Sequence, residues 1–399
     1  MNLRCATYFL AGVTLVFYVH ARALHAQWDL AAYLNAAKAL HTGEELYPLP
    51  DEDKEVVMTN LTIYVYPPLL ARVMSPLAGL PLPVLKIGWL LLQCIAYESL
   101  YWLGLKLARR PFERVTWLLY HAISLLYDGV FTDLRAGNTA LMETSILTAW
   151  AVFHLERPLF SGLLLGGLLA VKPLAVFVTI WDLVRGRWKA LGAVAGVTGI
   201  LYGVMYLDHG LYQSYQTFLH SKTFQRIMDE HTVGIYNSAT VSVGFRLFTD
   251  QTMFKPIVVI PALAYLFTFL VPIAVWFSAF SAWRRMDEVG LPIQEQNRLG
   301  FYFLLPTVLL TIPRVADYTL VWLLIPLFFG AWEAWERRIW SVFFLYMAAA
   351  VIGNLPVHPA ELVELTFSYH LMHYRYVSLI LFWCAGWLLI RRRVGGPLE

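Results

Sequence analysis

Residues 159–187 read LFSGLLLGGLLAVKPLAVFVTIWDLVRGR, and the topology of the chain turns on how this stretch is divided. Proline removes a backbone donor and disfavours an uninterrupted helix through Lys172-Pro173. A turn there yields two short apolar limbs, 159–170 and 173–183, and returns Arg185 and Arg187 to the side from which the first limb starts. Short cytoplasmic connections favour positive residues. Lys106, Arg109, Arg110 and Arg114, then Arg185, Arg187 and Lys189, Arg284 and Arg285, Arg337 and Arg338, and Arg391 to Arg393 form such clusters. A turn at Lys172 keeps them all on one face, whereas a single helix over 159–183 would reverse everything downstream.

Outward from this stretch the chain repeats the same pattern of apolar blocks between short charged connections. Of 399 residues, 59% are hydrophobic and 14% charged, with a mean hydropathy of +0.57. A soluble domain carries about 25% charged residues, so a bilayer is the natural sink for this apolar surface. At about 20 residues per span, with several short or broken, the blocks allow about 12 crossings. They fall near 5–22, 84–107, 115–129, 138–154, 159–170, 173–183, 189–206, 256–281, 299–312, 316–331, 338–353 and 371–390. The expected fold is all-α: a polytopic membrane protein forming a single domain over 1–399. Helical external loops are expected at 23–83 and 207–255. The first segment has features of a signal peptide, but Arg22 and Leu24 spoil a small-x-small cleavage site, which favours a retained helix.

A formal charge of +3 without a dense basic block argues against nucleic acid as a partner. Cys5, Cys94 and Cys384 lie in separate apolar segments, without zinc or disulfide spacing.

In the first external loop, residues 30–40 carry an apolar stripe of Tyr33, Leu34, Ala37 and Leu40, predicting a short helix stopped at Gly43. Asp29 directly follows the first crossing. Such a carboxylate can take a proton from an attacking hydroxyl, or it can cap a helix beginning at Leu30. Lys172 is either an anion ligand or a snorkelling lysine. Arg135 is a phosphate ligand or a partner of Asp128 or Asp133. Gly137-Asn138 forms a turn and a helix cap or supplies a polar contact. Arg314 is a further phosphate candidate, with Asp317 placed to neutralise it or to cap the next helix. Arg375 sits early in the last crossing, where charges are functional or paired. His231 and Asn237, in the second long loop, are candidates for phosphate or sugar contact. Trp28, Tyr33, Tyr64 and Tyr66 flank the opening near Asp29 and suit a sugar ring or a lipid headgroup.

The order of these landmarks resembles the GT-C superfamily, and most closely glycosyltransferase family 87, the alpha-1,2-mannosyltransferase-like enzymes. The resemblance rests on Asp29 and Tyr33 after the first helix, Ala37-x-x-Leu40-x-x-Gly43-x-x-Leu46-Tyr47, Tyr66-Pro67-Pro68-Leu69, Gly137-Asn138, Leu169 to Pro173, and Pro313-Arg314 through Tyr318. Asn138 directly after glycine departs from the more familiar Gly-Gln-x-Asn form. The resemblance implies an inverting transfer of a sugar, with mannose the first guess, from a polyprenyl-phosphate donor to a glycolipid or cell-envelope glycan acceptor. Asp29 would be the base, while Lys172, Arg314, Arg135, Arg375 and His231 would hold the donor phosphate. Trp28, Tyr33, Tyr64, Tyr66, Asn138, Asn237 and Asp317 would contact sugar or acceptor. No cofactor and no metal are expected, because a phosphate already leaves readily. The implied location is the inner (plasma) membrane, among membrane lipids, with the site facing away from the cytoplasm. A transporter built on interrupted helices is the competing reading.

Overall fold

A computed structural model of the chain describes residues 3–47, 64–234, 237–250, 256–355 and 373–395. Among them the protein is all-α, with no strand. Four helical segments have the length and hydropathy of a full crossing: 3–25, 188–207, 261–288 and 317–336. Four shorter apolar helices accompany them, at 140–153, 158–171, 173–184 and 340–353. The class therefore matches the expectation, while the count of about 12 crossings is not reached by full-length helices. The expected crossing at 115–129 is two helices, because α5 (Arg114–Ser124) ends and α6 (Asp128–Ala136) starts afresh. Outward-facing side chains such as Phe269 and Phe277, 68% and 74% exposed, suit lipid rather than water.

Contacts divide the chain into two compact units, residues 1–103 with 131–229, and residues 104–130 with 230–399.

In the first unit, α1 (Leu3–His20) continues as a 3-10 turn to His25, and α2 (Trp28–Thr42) follows. Gly43, at φ +75°, ends α2 in the left-handed conformation that glycine adopts without penalty. The stripe predicted for this helix is on its buried face: Leu30, Tyr33, Leu34 and Ala37 pack with Leu70, Ala71 and Met74 of α3 (Pro68–Met74), and Leu40 is partly buried against them. Tyr47 stacks on Phe218 of α11 (His209–Leu219) with ring centroids 4.6 Å apart, and its hydroxyl donates to the Tyr66 carbonyl at 2.6 Å. These contacts make the described part of the first loop a packed layer.

The decisive stretch is a hairpin. Helix α8 (Pro158–Val171) stops where Lys172 leaves helical geometry at φ −126°, ψ 86°. A 3-10 segment over Pro173–Val178 and α9 (Thr179–Val184) then run back. The return is fixed by Asp182, whose carboxylate lies 3.0 Å from Nδ1 of His154, just before α8 begins. Arg187 donates to the His154 carbonyl at 3.2 Å. Lys172 thus stands at the end of the hairpin opposite Arg185 and Arg187. Gly162 and Gly166 let α8 approach α10 (Trp188–Leu207) at backbone distance: a β-carbon on either would sit 2.5 Å from the Ala190 carbonyl oxygen or 2.9 Å from that of Val194.

After α12 (Lys222–Val233), the second unit is built on α13 (Thr240–Phe248), α14 (Pro261–Glu288), α15 (Ile293–Leu309), α16 (Ala331–Glu336), α17 (Trp340–Gly353) and α18 (Tyr374–Val394). At the basic end of these helices an ion-pair web links Arg298 and Arg337 to Glu333, Arg393 to Glu295, and Arg110 to Glu336.

Candidate active site

The site is built around a backbone junction. Gln27 precedes α2 in the left-handed region (φ +52°, ψ 49°) and donates its N–H to the Arg135 carbonyl at 2.8 Å. The last turn of α6, which leads into the loop before α7 (Ala140–Phe153), is thereby joined to the start of α2. Gly137 lies at this crossing with φ +66°, and a β-carbon there would come within 3.0 Å of Leu30 Cβ and 3.1 Å of Gln27 Cβ. Both the dihedral and the close approach require glycine. Trp89 and Gln93, on α4 (Leu82–Ala108), fix the loop by donating to the Gly137 and Asn138 carbonyls at 2.8 and 2.9 Å.

Asp29 occupies the second position of α2, and Gln27 is the N-cap. The capping reading of Asp29 therefore gives way, because the helix starts at Trp28. Asn138, fully buried, donates from Nδ2 to Asp29 Oδ2 at 2.6 Å and to the Tyr33 hydroxyl at 3.2 Å. Its Oδ1 accepts the Thr139 N–H at 2.7 Å, which directs the NH₂ group toward the carboxylate. The Tyr33 hydroxyl in turn donates to that of Tyr66 across a longer 3.4 Å. The Lys172 ammonium lies 4.9 Å from the centroid of the Tyr66 ring and 2.9 Å from Glu143 Oε1. One line of side chains, Asp29, Asn138, Tyr33, Tyr66 and Lys172, thus joins the acid to the cation.

Glu143 was missed by the sequence reading. An acid in the first turn of an apolar segment is itself a signal, since an ionisable group there needs a partner. Its partner is Lys172, and Thr139 also donates to it through its hydroxyl. Asp133, fully buried, accepts from the Ala140 N–H at 3.0 Å and from Gln93 at 3.2 Å, so it serves the start of α7 rather than pairing with Arg135. Burial, and then the nearby Glu143 charge, push its carboxyl well above the usual carboxylate range, against the pull of these donors. Arg135 is exposed and holds its guanidinium 5.7 Å from the ring centroid of Trp28, the residue before Asp29 in the sequence. Neither suggested acid is its partner.

Tyr64 is buried, donates to the Pro67 carbonyl at 2.6 Å and accepts the Ala71 N–H, so its hydroxyl secures the start of α3. In the second unit, Arg375 bridges Asp317 at 2.5 Å and Asp128 at 2.9 Å. Asp317 therefore neutralises Arg375, not Arg314. The Asn237 amide donates to the Pro313 carbonyl at 3.0 Å and accepts the Val315 N–H at 2.8 Å, clamping the backbone on both sides of Arg314. His231 is the one candidate whose side chain lies outside the described residues.

The fold around this line is that of an all-helical chain with several helices apolar enough to cross a membrane, and sequence comparison supplies the class and the family. The sequence profile of glycosyltransferase family 87 matches residues 64–313. That is more than half of the chain, which belongs to this family. The matched residues include Arg135, Asn138, Glu143 and Lys172 and begin downstream of Asp29. No curated protein and no solved structure matches the chain.

Proposed function

We propose that this glycosyltransferase moves a sugar, mannose first among those to test, from a polyprenyl-phosphate carrier to a glycolipid or cell-envelope glycan hydroxyl. The observation that carries the reading is the Asn138 amide, which bonds Asp29 and Tyr33 together and so couples the acid to the Tyr66–Lys172 side of the same unit. Asp29 takes the proton of the acceptor hydroxyl as its oxygen attacks the anomeric carbon. The bond from that carbon to the phosphate oxygen breaks, and attack from the opposite face inverts the configuration. Lys172 steadies the charge gathering on the departing phosphate, and Arg135 assists from the exposed side. Trp28 and Tyr66 offer ring faces to the sugar.

In this reading the site opens on the extracytoplasmic face, because the basic clusters hold the opposite end of the hairpin. The GT-C-like architecture and the inner-membrane location follow from the same resemblance and topology. Arg314 stays a candidate phosphate ligand. Arg375 is weaker in that role, since two carboxylates already meet it. Family membership and the external loop carrying Asp29 weigh against the transporter.

The test is transfer from radiolabelled polyprenyl-phosphate sugars to a membrane-lipid acceptor mixture by purified protein. Wild type should form a labelled glycolipid, and Asp29→Asn should lose about 10²–10⁴-fold in rate. Equal product from both proteins would remove Asp29 as the base.

A further inference from the structure

The basic ends of α14 and α18 form an open cleft of about 110 Å³ whose lining includes Ser281, Arg285, Trp387, Ile390 and Arg391. Among the described residues no carboxylate pairs with its two arginines. Neighbouring Arg284 is matched to Glu288 at 2.8 Å, and Arg393 is matched to Glu295. Arg391 instead rests 4.8 Å from the Trp387 ring centroid. Two guanidinium groups and a serine hydroxyl around one small opening supply the donors that a phosphate diester needs.

The surroundings select the source of that phosphate. Ser281 continues a stripe on α14 through Phe277 and Ile273, one and two turns back at four-residue spacing, and these side chains are 74% and 60% exposed. The stripe runs from the charged cleft into the apolar span, so a group bound by the arginines has a bare hydrocarbon track beneath it. A free phosphate would leave that track unused. Tryptophan beside arginine at the end of an apolar helix is also the composition of a membrane–water boundary. We infer that this cleft is a binding site for an anionic glycerophospholipid, its phosphate between Arg285 and Arg391 and one acyl chain along Phe277 and Ile273.

The test uses the full chain in detergent, with native mass spectrometry to count bound lipid and thermal unfolding to read its effect. Wild type should retain one phosphatidylglycerol that phosphatidylcholine displaces poorly. The double variant Arg285→Gln/Arg391→Gln should bind it about tenfold or more weakly, given the attraction of each basic residue for anionic lipid. Arg284→Gln, outside the cleft, should leave binding unchanged. If the double variant fails to fold, the single variants are titrated instead, each expected to weaken binding severalfold. Unaltered affinity in these variants would overturn the site, as would equal retention of phosphatidylcholine. Stabilisation by inorganic phosphate alone, equal to that by the lipid, would overturn its assignment to a lipid.

Discussion

At the residue scale the site works through an amide. Asn138 has two N–H donors, one given to a carboxylate and one to a tyrosine, and its oxygen is occupied by the following backbone N–H. Replacing it with aspartate would set a second negative charge at 2.6 Å from Asp29, so Asn138→Asp should lower transfer by well over tenfold while Asn138→Gln loses less. Lys172 and Glu143 should separate in kinetics. Lys172→Gln removes a charge-assisted contact to the donor, and the donor KM should rise roughly 10–100-fold. Glu143→Gln leaves the ammonium in place but frees it from its anchor, so a smaller rise in KM with reduced thermal stability is expected. Identical kinetic losses in both variants would show that the pair acts only as a unit. Asp29, Tyr33, Tyr66, Asn138 and Lys172 were legible singly in the sequence. Their joining was not, because they come from four segments whose contact depends on the backbone bond between residues 27 and 135.

At the element scale the junction of α2 with the loop before α7 depends on Gly137. An alanine would have to hold a left-handed dihedral, at a cost of roughly 1–2 kcal/mol, with its β-carbon pressed against Leu30 and Gln27. Gly137→Ala should therefore lower the unfolding temperature in detergent and reduce transfer, because Asn138 is the next residue. An unchanged unfolding temperature would mean that the loop relaxes without cost. Sequence periodicity found α2 because one side of it is buried, and proline found the hairpin turn. It could not find the break between α5 and α6. Apolar residues run through 115–127 without a proline, and the new start near Asp128 is stabilised by tertiary contacts, including the bond from its N–H to Asn354. Composition alone cannot report such a contact.

At the scale of the whole molecule the prediction is a pattern of sidedness. Single cysteines at Glu156 and Gly186, with Cys5, Cys94 and Cys384 replaced, should be labelled by an impermeant maleimide only after the membrane is opened. A cysteine at Glu44, exposed beyond α2, should be labelled in intact cells. Labelling of all three from the same side would refute the proposed orientation of the active site. The all-helical membrane class was legible because hydropathy is a bulk property. The number of crossings was not, since several apolar helices are shorter than the bilayer is thick and only packing shows how they are accommodated.

The paired short limbs around Lys172 carry a consequence for biosynthesis. Helix α8, with 14 residues, is about 21 Å long, less than the roughly 30 Å of hydrocarbon it would have to cross alone. Gly162 and Gly166 pack against α10, so a nascent chain that has emerged no further than residue 186 lacks part of the surface on which the hairpin settles. A single cysteine at Leu168 should react faster with an impermeant maleimide in chains truncated there than in chains extended through residue 207. The lysine would then be delivered to its depth late, by a neighbour made after it.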